Sequence, residues 1–545
     1  MSLNMHDGEP PLTITERAQL APFLTDLDAP IFGLRNLPEV VKGALFSRYS
    51  RSEHSLRRIL LDEFMRAPDA AFGALAGDTT VAAAQIDATR RAEAFYDRVL
   101  LGYGDDSVAE LGGAHLACEQ ISNIAAKVIE DARIGLSPLE KSTRYVRFDS
   151  MVGGRYRYVR EPTIMASRHA SAYAATLDGL FSTYADLMEP TLAAVRASSP
   201  RDANTGERAY ASATRAKACD LLRGLLPMAT RTNVGLFGNG RAYEYLITRL
   251  RAQPLTELHT IADGMQQSLD ALIPSFVKRA KTERGAAYAS YLRTTRAQSA
   301  AAAAALALPT ASAPAPLVAL IDADADGEAR VLAAILYPHS DLPLDALRQH
   351  AATMPASERA ALLHAYVGER NVRFHRPGRA LEEARYTFVI TADIGAYRDL
   401  QRHRMLSQER RPYTTGLGFV TPPELVEAGL AQSYSAALET AAATYTQIAA
   451  ELPEEAQYVV PFAYRISWRI TMNLREAYHF CELRSAPQGH IAYRRVAQEI
   501  YTQIAAVHPL LAAGMRFVDM TDRPLERLDA ERRMDEKLRR AAGDA

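Results

Sequence analysis

Apolar residues recur at three- and four-residue intervals over Leu255 to Phe276 and again over Tyr493 to Leu511, which predicts long helices pressed on a core. Ser167 to Ala194 and Ser433 to Glu451 share this period, and a further apolar-periodic stretch covers His115 to Glu130. Tyr386 to Thr391 alternates aromatic and β-branched residues as a strand does. The landmarks along the chain come in ordered pairs. Gly104 to Glu110 precedes the first apolar stretch as Gly378 to Glu382 precedes the second. Leu225-Leu226-Pro227 is followed twelve positions later by Asn239-Gly240-Arg241, and Val459-Val460-Pro461 at the same interval by Asn473-Leu474-Arg475. That gapless register also sets Ala229 and Arg231 on Ala463 and Arg465. A series of matches in one order implies an internal duplication.

Length changes this picture little, since 545 residues already exceed one ordinary core. The boundary between the halves is visible in composition. Over Ala297 to Leu317 an alanine run passes into Pro-Thr-Ala-Ser-Ala-Pro-Ala-Pro, where prolines stop the helix that alanine favours. The expected organisation is an N-terminal helical extension over 1–90, repeat 1 over 91–296, a linker over 297–317 and repeat 2 over 318–545. The class is mixed α/β (α+β), rich in helix.

The 48% hydrophobic and 23% charged residues are those of a globular protein. A net charge of -1, with no aromatic residues interleaved in a basic stripe, argues against a nucleic-acid partner. No apolar run approaches the roughly 18 residues needed to span a bilayer. Met1 to Leu20 is polar and contains acidic residues, unlike a signal or transit peptide. Cys118, Cys219 and Cys481 are scattered, with no metal-ligand spacing beside them, and read as buried thiols in a reducing, cytoplasmic setting. No metal site is expected.

Two short stretches carry candidate chemistry. Arg402-His403-Arg404, three residues before Ser407, cannot share one helical face, because neighbours lie about 100° apart. Two guanidinium forks fanned about an imidazole suit an anion; a solvated basic turn is the alternative. Glu140, Ser142 and Arg144, spaced i, i+2, i+4, share one side if extended, and suit a nucleotide phosphate. Their alternative is a polar strand face on which Glu140 and Arg144 pair.

Taken together, Arg402-His403-Arg404, Ser142-Thr143-Arg144-Tyr145, Arg223 before Leu226-Pro227, and the two Asn-x-Arg motifs resemble the flavin-dependent thymidylate synthase family. Two such domains in tandem are similar to it, over roughly 90 to 285 and 365 to 515. The resemblance implies helices around a largely antiparallel sheet, and active sites shared between subunits of a tetramer. It implies transfer of a methylene group from methylenetetrahydrofolate to dUMP and its reduction with FAD and NADPH. By position, Arg402, His403, Arg404, Ser407, Asn473 and His479 are implied to hold flavin, and Glu140, Ser142, Arg144 and Arg223 the nucleotide. Arg484 is implied to face the uracil ring and stabilise negative charge there; otherwise it is a surface arginine paired with Glu482.

Departures from the family pattern are complementary. In repeat 1 the arginine-histidine-arginine set becomes Ala132-Arg133-Ile134 after two carboxylates, Glu130 and Asp131, and the uracil-side arginine falls on Leu250. In repeat 2 the phosphate-side residues become Pro412, Thr414 and Gln457. The flavin-side histidine falls on Asp105 and Pro377. The expectation is one composite site, repeat 1 supplying nucleotide anchors and repeat 2 the flavin motif, in a homodimer imitating the family tetramer. The competing expectation is an inactive nucleotide- or flavin-binding or structural homologue.

Overall fold

A computed structural model of the chain describes residues 9–49, 52, 54–66, 109–144, 146–306, 308 and 315–542. Much of the N-terminal extension, the Gly104 landmark and Asp105 lie outside the described residues. The chain divides into two compact units. The first comprises Met1–Glu119, Ile134–Glu140 and Asn233–Leu308, the second Gln120–Arg133, Lys141–Thr232 and Pro309–Ala545.

The first unit opens with helices Ile14–Leu20 and Glu39–Tyr49, the former started by a capping box between Thr13 and Glu16. Strands β1 (Gly113–Ser122), β2 (Leu136–Glu140) and β3 (Arg231–Asn239) form a sheet of order β1-β3-β2. Asn239 ends β3 and caps the helix Gly240–Arg251, its Oδ1 accepting from the Ala242 amide at 2.8 Å. That helix turns Tyr243, Leu246, Ile247 and Leu250 to the core, the i, i+3, i+4, i+7 stripe of an amphipathic helix. The predicted helix over 255–276 appears as Thr256–Leu272 followed by Pro274–Val277, broken where Pro274 cannot continue the ladder. The alanine run continues the helix Glu283–Ala305, which buries only Ala289, and most of the proline-rich segment after it lies outside the described residues.

In the second unit, β4 (Val318–Ala323), β5 (Arg385–Asp393), β6 (Ser407–Arg410) and β7 (Arg465–Asn473) form an antiparallel sheet of order β4-β5-β7-β6. Without β4, this is the strand order of the first sheet. The strand expected over 386–391 is β5. In β7 the residues Ile466, Trp468, Ile470 and Met472 point to one buried face, the period of two read in sequence. Asn473 ends β7 as Asn239 ends β3, capping the helix Leu474–Arg484 through a 2.9 Å bond from the Glu476 amide. The helices expected over 167–194, 433–451 and 493–511 are Ala170–Ser198, Ala431–Ala449, and Ile491–Val507 with Pro509–Ala512.

The duplication is also a contact. Met228 N donates to Val460 O at 2.9 Å, and Phe462 N returns the bond to Leu226 O at 3.0 Å. Ala229 N donates to Tyr458 O and Ala463 N to Gly224 O, both at 2.9 Å. Each donor and acceptor has its register mate on the other strand, so the two Leu/Val-Pro segments pair about a local two-fold axis. Between the helices Ala170–Ser198 and Ala431–Ala449, the Thr176 and Thr444 hydroxyls also bond, at 2.7 Å. Among the described residues no helix is long and apolar enough to cross a membrane.

Candidate functional site

The helix Ile394–Leu400, capped by Asp393, ends at Gln401, and the chain turns through Arg402-His403-Arg404 before β6 begins at Ser407. The fan expected of three neighbours is present: His403 is buried, whereas Arg402, Arg404 and Ser407 are exposed. Burial holds the His403 pKa well below the usual histidine range, and the neighbouring Arg484 adds to this. A neutral ring then has one donor and one acceptor. Arg484 Nε donates to His403 Nε2 at 2.7 Å, so Nδ1 carries the hydrogen and donates to Glu476 Oε1 at 2.7 Å. Glu476, His403 and Arg484 form a relay that aims one guanidinium. Arg484 does not pair with Glu482, whose carboxylate takes Arg370 in a buried two-pronged bridge instead.

The repeat 1 anchors do not lie along one extended strand as expected. β2 ends at Glu140 in the first unit, and Thr143-Arg144 form a turn in the second, so i, i+2, i+4 spacing aligns no common face. The turn is held by Ser142 Oγ, which accepts from the Arg144 amide at 3.3 Å. Arg144 is buried and pairs with Asp220 through Nε at 2.7 Å and Nη2 at 2.6 Å. Although burial pushes the Asp220 carboxyl up, Arg144 foremost brings it down to about 2.

Arg223 begins the short 3-10 turn Arg223–Leu225 and is also buried. Its Nη1 donates to Asp399 Oδ2 at 3.1 Å. Asp399 is the electrostatic centre of the group. Burial raises its carboxyl, but Arg223, Arg402, Arg144 and Arg484 together hold it far below the usual carboxylate range. Two of these arginines come from each repeat. Gly395 is what lets Arg223 approach: a Cβ there would lie 3.0 Å from its Nε and Nη2 and 2.8 Å from Asp393 Oδ1.

A cavity of about 650 Å³ opens beside Arg223, Asp220 and His490, walled by Leu221, Tyr434 and Phe462 among others. Arg223 Nη2, which is buried, has no hydrogen-bond partner among the described residues, and neither does the buried Thr391 Oγ1 on the same wall. An unused guanidinium hydrogen in a mostly apolar chamber is a strong attraction for an anion. His490, its ring nitrogen 3.3 Å from the Asp220 carbonyl oxygen, is pushed down to about 3 by burial, then by Arg223. A second pocket, of about 100 Å³, is lined by Arg373, Arg376, Asn473, Arg475, Glu476 and His479. Burial lowers His479 to about 4. Ligand atoms of His403, Glu476 and His479 lie within 4.8 Å of one another. The Arg484 cation already bonded to His403 opposes a metal ion there.

The counterpart positions are closed. In repeat 2, Gln457 Oε1 accepts from the Tyr413 amide at 3.1 Å, and the Tyr413 ring packs with Tyr397, which in turn meets Trp468 at 5.2 Å. In repeat 1, Arg133 Nε donates to the Arg404 carbonyl at 3.0 Å, Glu130 takes Lys127, and Asp131 accepts from Gln401. The carboxylates that would repel a pyrophosphate are thus structural. Leu250 is wholly buried.

Sequence reading missed Asp220, Asp399, Glu476 and His490. A signal for the first two existed: Asp220-Leu-Leu-Arg223 and Asp399-Leu-Gln-Arg402 are the same Asp-Leu-x-Arg pattern. The fold does not use them alike: Asp399 of the second pattern takes Arg223 of the first, whereas Asp220 takes Arg144, which belongs to neither.

The sequence profile of the family described as thymidylate synthase complementing protein matches residues 65–275 and 319–510. A UPF0159 protein of Chlamydia muridarum is 44% identical over 520 residues, which cover 95% of this chain and 97% of that protein. A flavin-dependent thymidylate synthase of Saccharolobus solfataricus is 30% identical over 158 residues, 26% of this chain and 58% of that enzyme. Among solved structures, the UMP/dUMP methylase PolB of Streptomyces cacaoi bound with 5-Br dUMP aligns with 36% of this chain and 93% of its own at 20% identity. The TM-score of that alignment is 0.29. With both halves matched in order and most of the chain covered, the protein belongs to the thymidylate synthase complementing protein family.

Proposed function

We propose that the chain is a flavin-dependent thymidylate synthase-like enzyme, converting dUMP to dTMP with methylenetetrahydrofolate, FAD and NADPH at a site to which both repeats contribute. The observation that carries this reading is the meeting of Arg144 and Arg223 of repeat 1 with Arg402 and Arg484 of repeat 2 around Asp399. Four guanidiniums gather against the carboxylates of Asp220 and Asp399, and such a group offers the donors that a phosphate monoester needs. Arg223 Nη2 would take that phosphate, with Arg144 beside it, and the nucleotide would extend from there toward Arg484, which acts on the same Asp399. Arg484, oriented by the Glu476–His403 relay, would stabilise negative charge developing on the uracil ring.

The donor set suits a flavin dinucleotide as well. Arg402 and Arg404 present exposed guanidiniums, Ser407 a hydroxyl, and the pocket of Asn473 and His479 is rich in arginine, as an anionic group requires. At about 100 Å³ that pocket holds one group of a cofactor and not the whole. When bound, the flavin would supply the reducing electrons; the chain's own residues bind, orient and hold charge. We place the enzyme in the cytoplasm as a homodimer.

A second reading, a nucleotide- or flavin-binding homologue without turnover, is favoured by one observation: Asp220 and Asp399 already neutralise the two phosphate-side arginines. One experiment separates the two. The purified full chain is examined for flavin absorbance, then assayed for dTMP with dUMP, methylenetetrahydrofolate, FAD and NADPH. Turnover supports the enzyme; flavin or dUMP binding without turnover supports the second reading. Colourless protein that takes up no flavin and binds no dUMP overturns both. Arg402→Ala is expected to lose flavin, and Arg144→Ala to weaken dUMP binding tenfold or more while flavin stays.

A further inference from the structure

The first unit holds a pocket that the reading above does not use. It has a volume of about 280 Å³ and lies between the helix Gly240–Arg251 and the start of the helix Glu283–Ala305. Arg241, Tyr245, Arg279, Arg284 and Tyr288 line it. The register that carries Asn239 onto Asn473 carries Arg241, Tyr245 and Thr248 onto Arg475, His479 and Glu482, all of which line the 100 Å³ pocket of repeat 2. One face of one helix therefore walls a pocket in both repeats, while the side chains on it have diverged.

Its chemistry is that of an aromatic anion. Tyr245 and Tyr288 meet edge to face, with ring centroids 6.1 Å apart, and keep 52% and 38% of their surface exposed. Two partly bare tyrosine rings beside guanidiniums form a stacking platform for a flat heterocycle. Two of the three arginines are committed: Arg279 to Glu244 at 2.9 Å and Arg241 to Glu110 at 2.8 Å. Arg284 has no hydrogen bond or ion pair among the described residues and is exposed at the pocket mouth. The pocket thus combines an aromatic wall with one uncommitted cation, and its volume suits a single base and sugar rather than a dinucleotide.

We propose that this pocket is a second nucleotide site, taking a mononucleotide with its base against Tyr245 and Tyr288 and its phosphate on Arg284. The site stands independently of the proposed synthase activity, because none of its residues belongs to the arginine group around Asp399.

The test uses the full-length chain and AMP as probe, with binding read by calorimetry. Adenosine and inorganic phosphate serve as the two half-ligands. AMP is expected to bind, and each half-ligand to bind at least tenfold more weakly. Arg284→Ala and Tyr288→Ala should each weaken AMP tenfold or more, whereas Tyr288→Phe, which keeps the ring, should not. Arg223→Ala should leave AMP binding here unchanged. The three variants at the exposed positions 284 and 288 are checked for an unaltered melting temperature, and Arg223→Ala for a native circular dichroism spectrum at the assay temperature. The proposal is overturned by any of three results: no AMP binding at millimolar concentration, phosphate binding as tightly as AMP, or loss of AMP binding in Arg223→Ala with retention in Arg284→Ala.

Discussion

Buried histidines give the site a pH signature that can be worked out residue by residue. His403, His479 and His490 all have pKa values lowered first by burial, His479 to about 4 and His490 to about 3. The unfolded chain takes up a proton on each as pH falls through about 6.5, while the folded chain does not. Stability therefore declines with acid from pH 6.5 downward, by at most about 1.4 kcal/mol per pH unit for each histidine. His490→Gln should flatten that slope between pH 6.5 and 4; an unchanged slope in thermal melts would contradict it. Asp220 acts lower down: its contribution is full above about 3.9, its ordinary value, and is lost as pH falls toward 2. The sequence made the arginines and His403 legible because their neighbours are distinctive. Asp220 and Asp399 were not legible, since a carboxylate in a helix reads as a solvated residue until distant segments bring Arg144 and Arg223 to it.

Elements were easier to read than their ends. The helical and strand periods placed β5 and the long helices within a few residues, because burial of one face enforces a period whatever the tertiary setting. The segment 140–144 failed, because alternation of polar residues carries no such enforcement and a serine-supported turn intervened. Close approach of the paired segments sets a strict limit at Gly224, where a Cβ would fall 2.0 Å from Tyr434 Oη and 3.0 Å from the Ala463 Cβ. Gly224→Ala should cost about 2 kcal/mol in denaturant unfolding, and adding Tyr434→Phe should recover part of it. Leu250 marks the opposite case, a family site position absorbed into the core. Leu250→Arg should not restore a site but destabilise by about 3 kcal/mol or more, since it would place a charge at a wholly buried core position.

At the scale of the molecule, segments of both repeats make up the second unit. The departures of the two repeats from the family pattern are complementary in sequence, and Arg144, Arg223, Arg402 and Arg484 all act on Asp399. The pairing of Asp399 with Arg223 was not readable, because it depends on how a helix and a turn far apart in sequence pack together. The mutual bonds between residues 224–229 and 458–463 predict that halves 1–308 and 315–545, expressed alone, are aggregated or partly unfolded. Expressed together they should copurify with native circular dichroism, and two independently folded monomeric halves would count against this.

The paired Leu/Val-Pro segments also bear on how the protein can change over time. In an assembly of identical subunits every substitution falls on both sides of a symmetric contact, so a gain on one side is repeated, wanted or not, on the other. Here the partners of the two-fold contact are encoded separately. Gln457 could replace an arginine while Arg223 stayed, and Leu250 could enter the core while Arg484 remained. Joining the two copies released each from the other's constraints, and selection could then act on one side of the axis at a time.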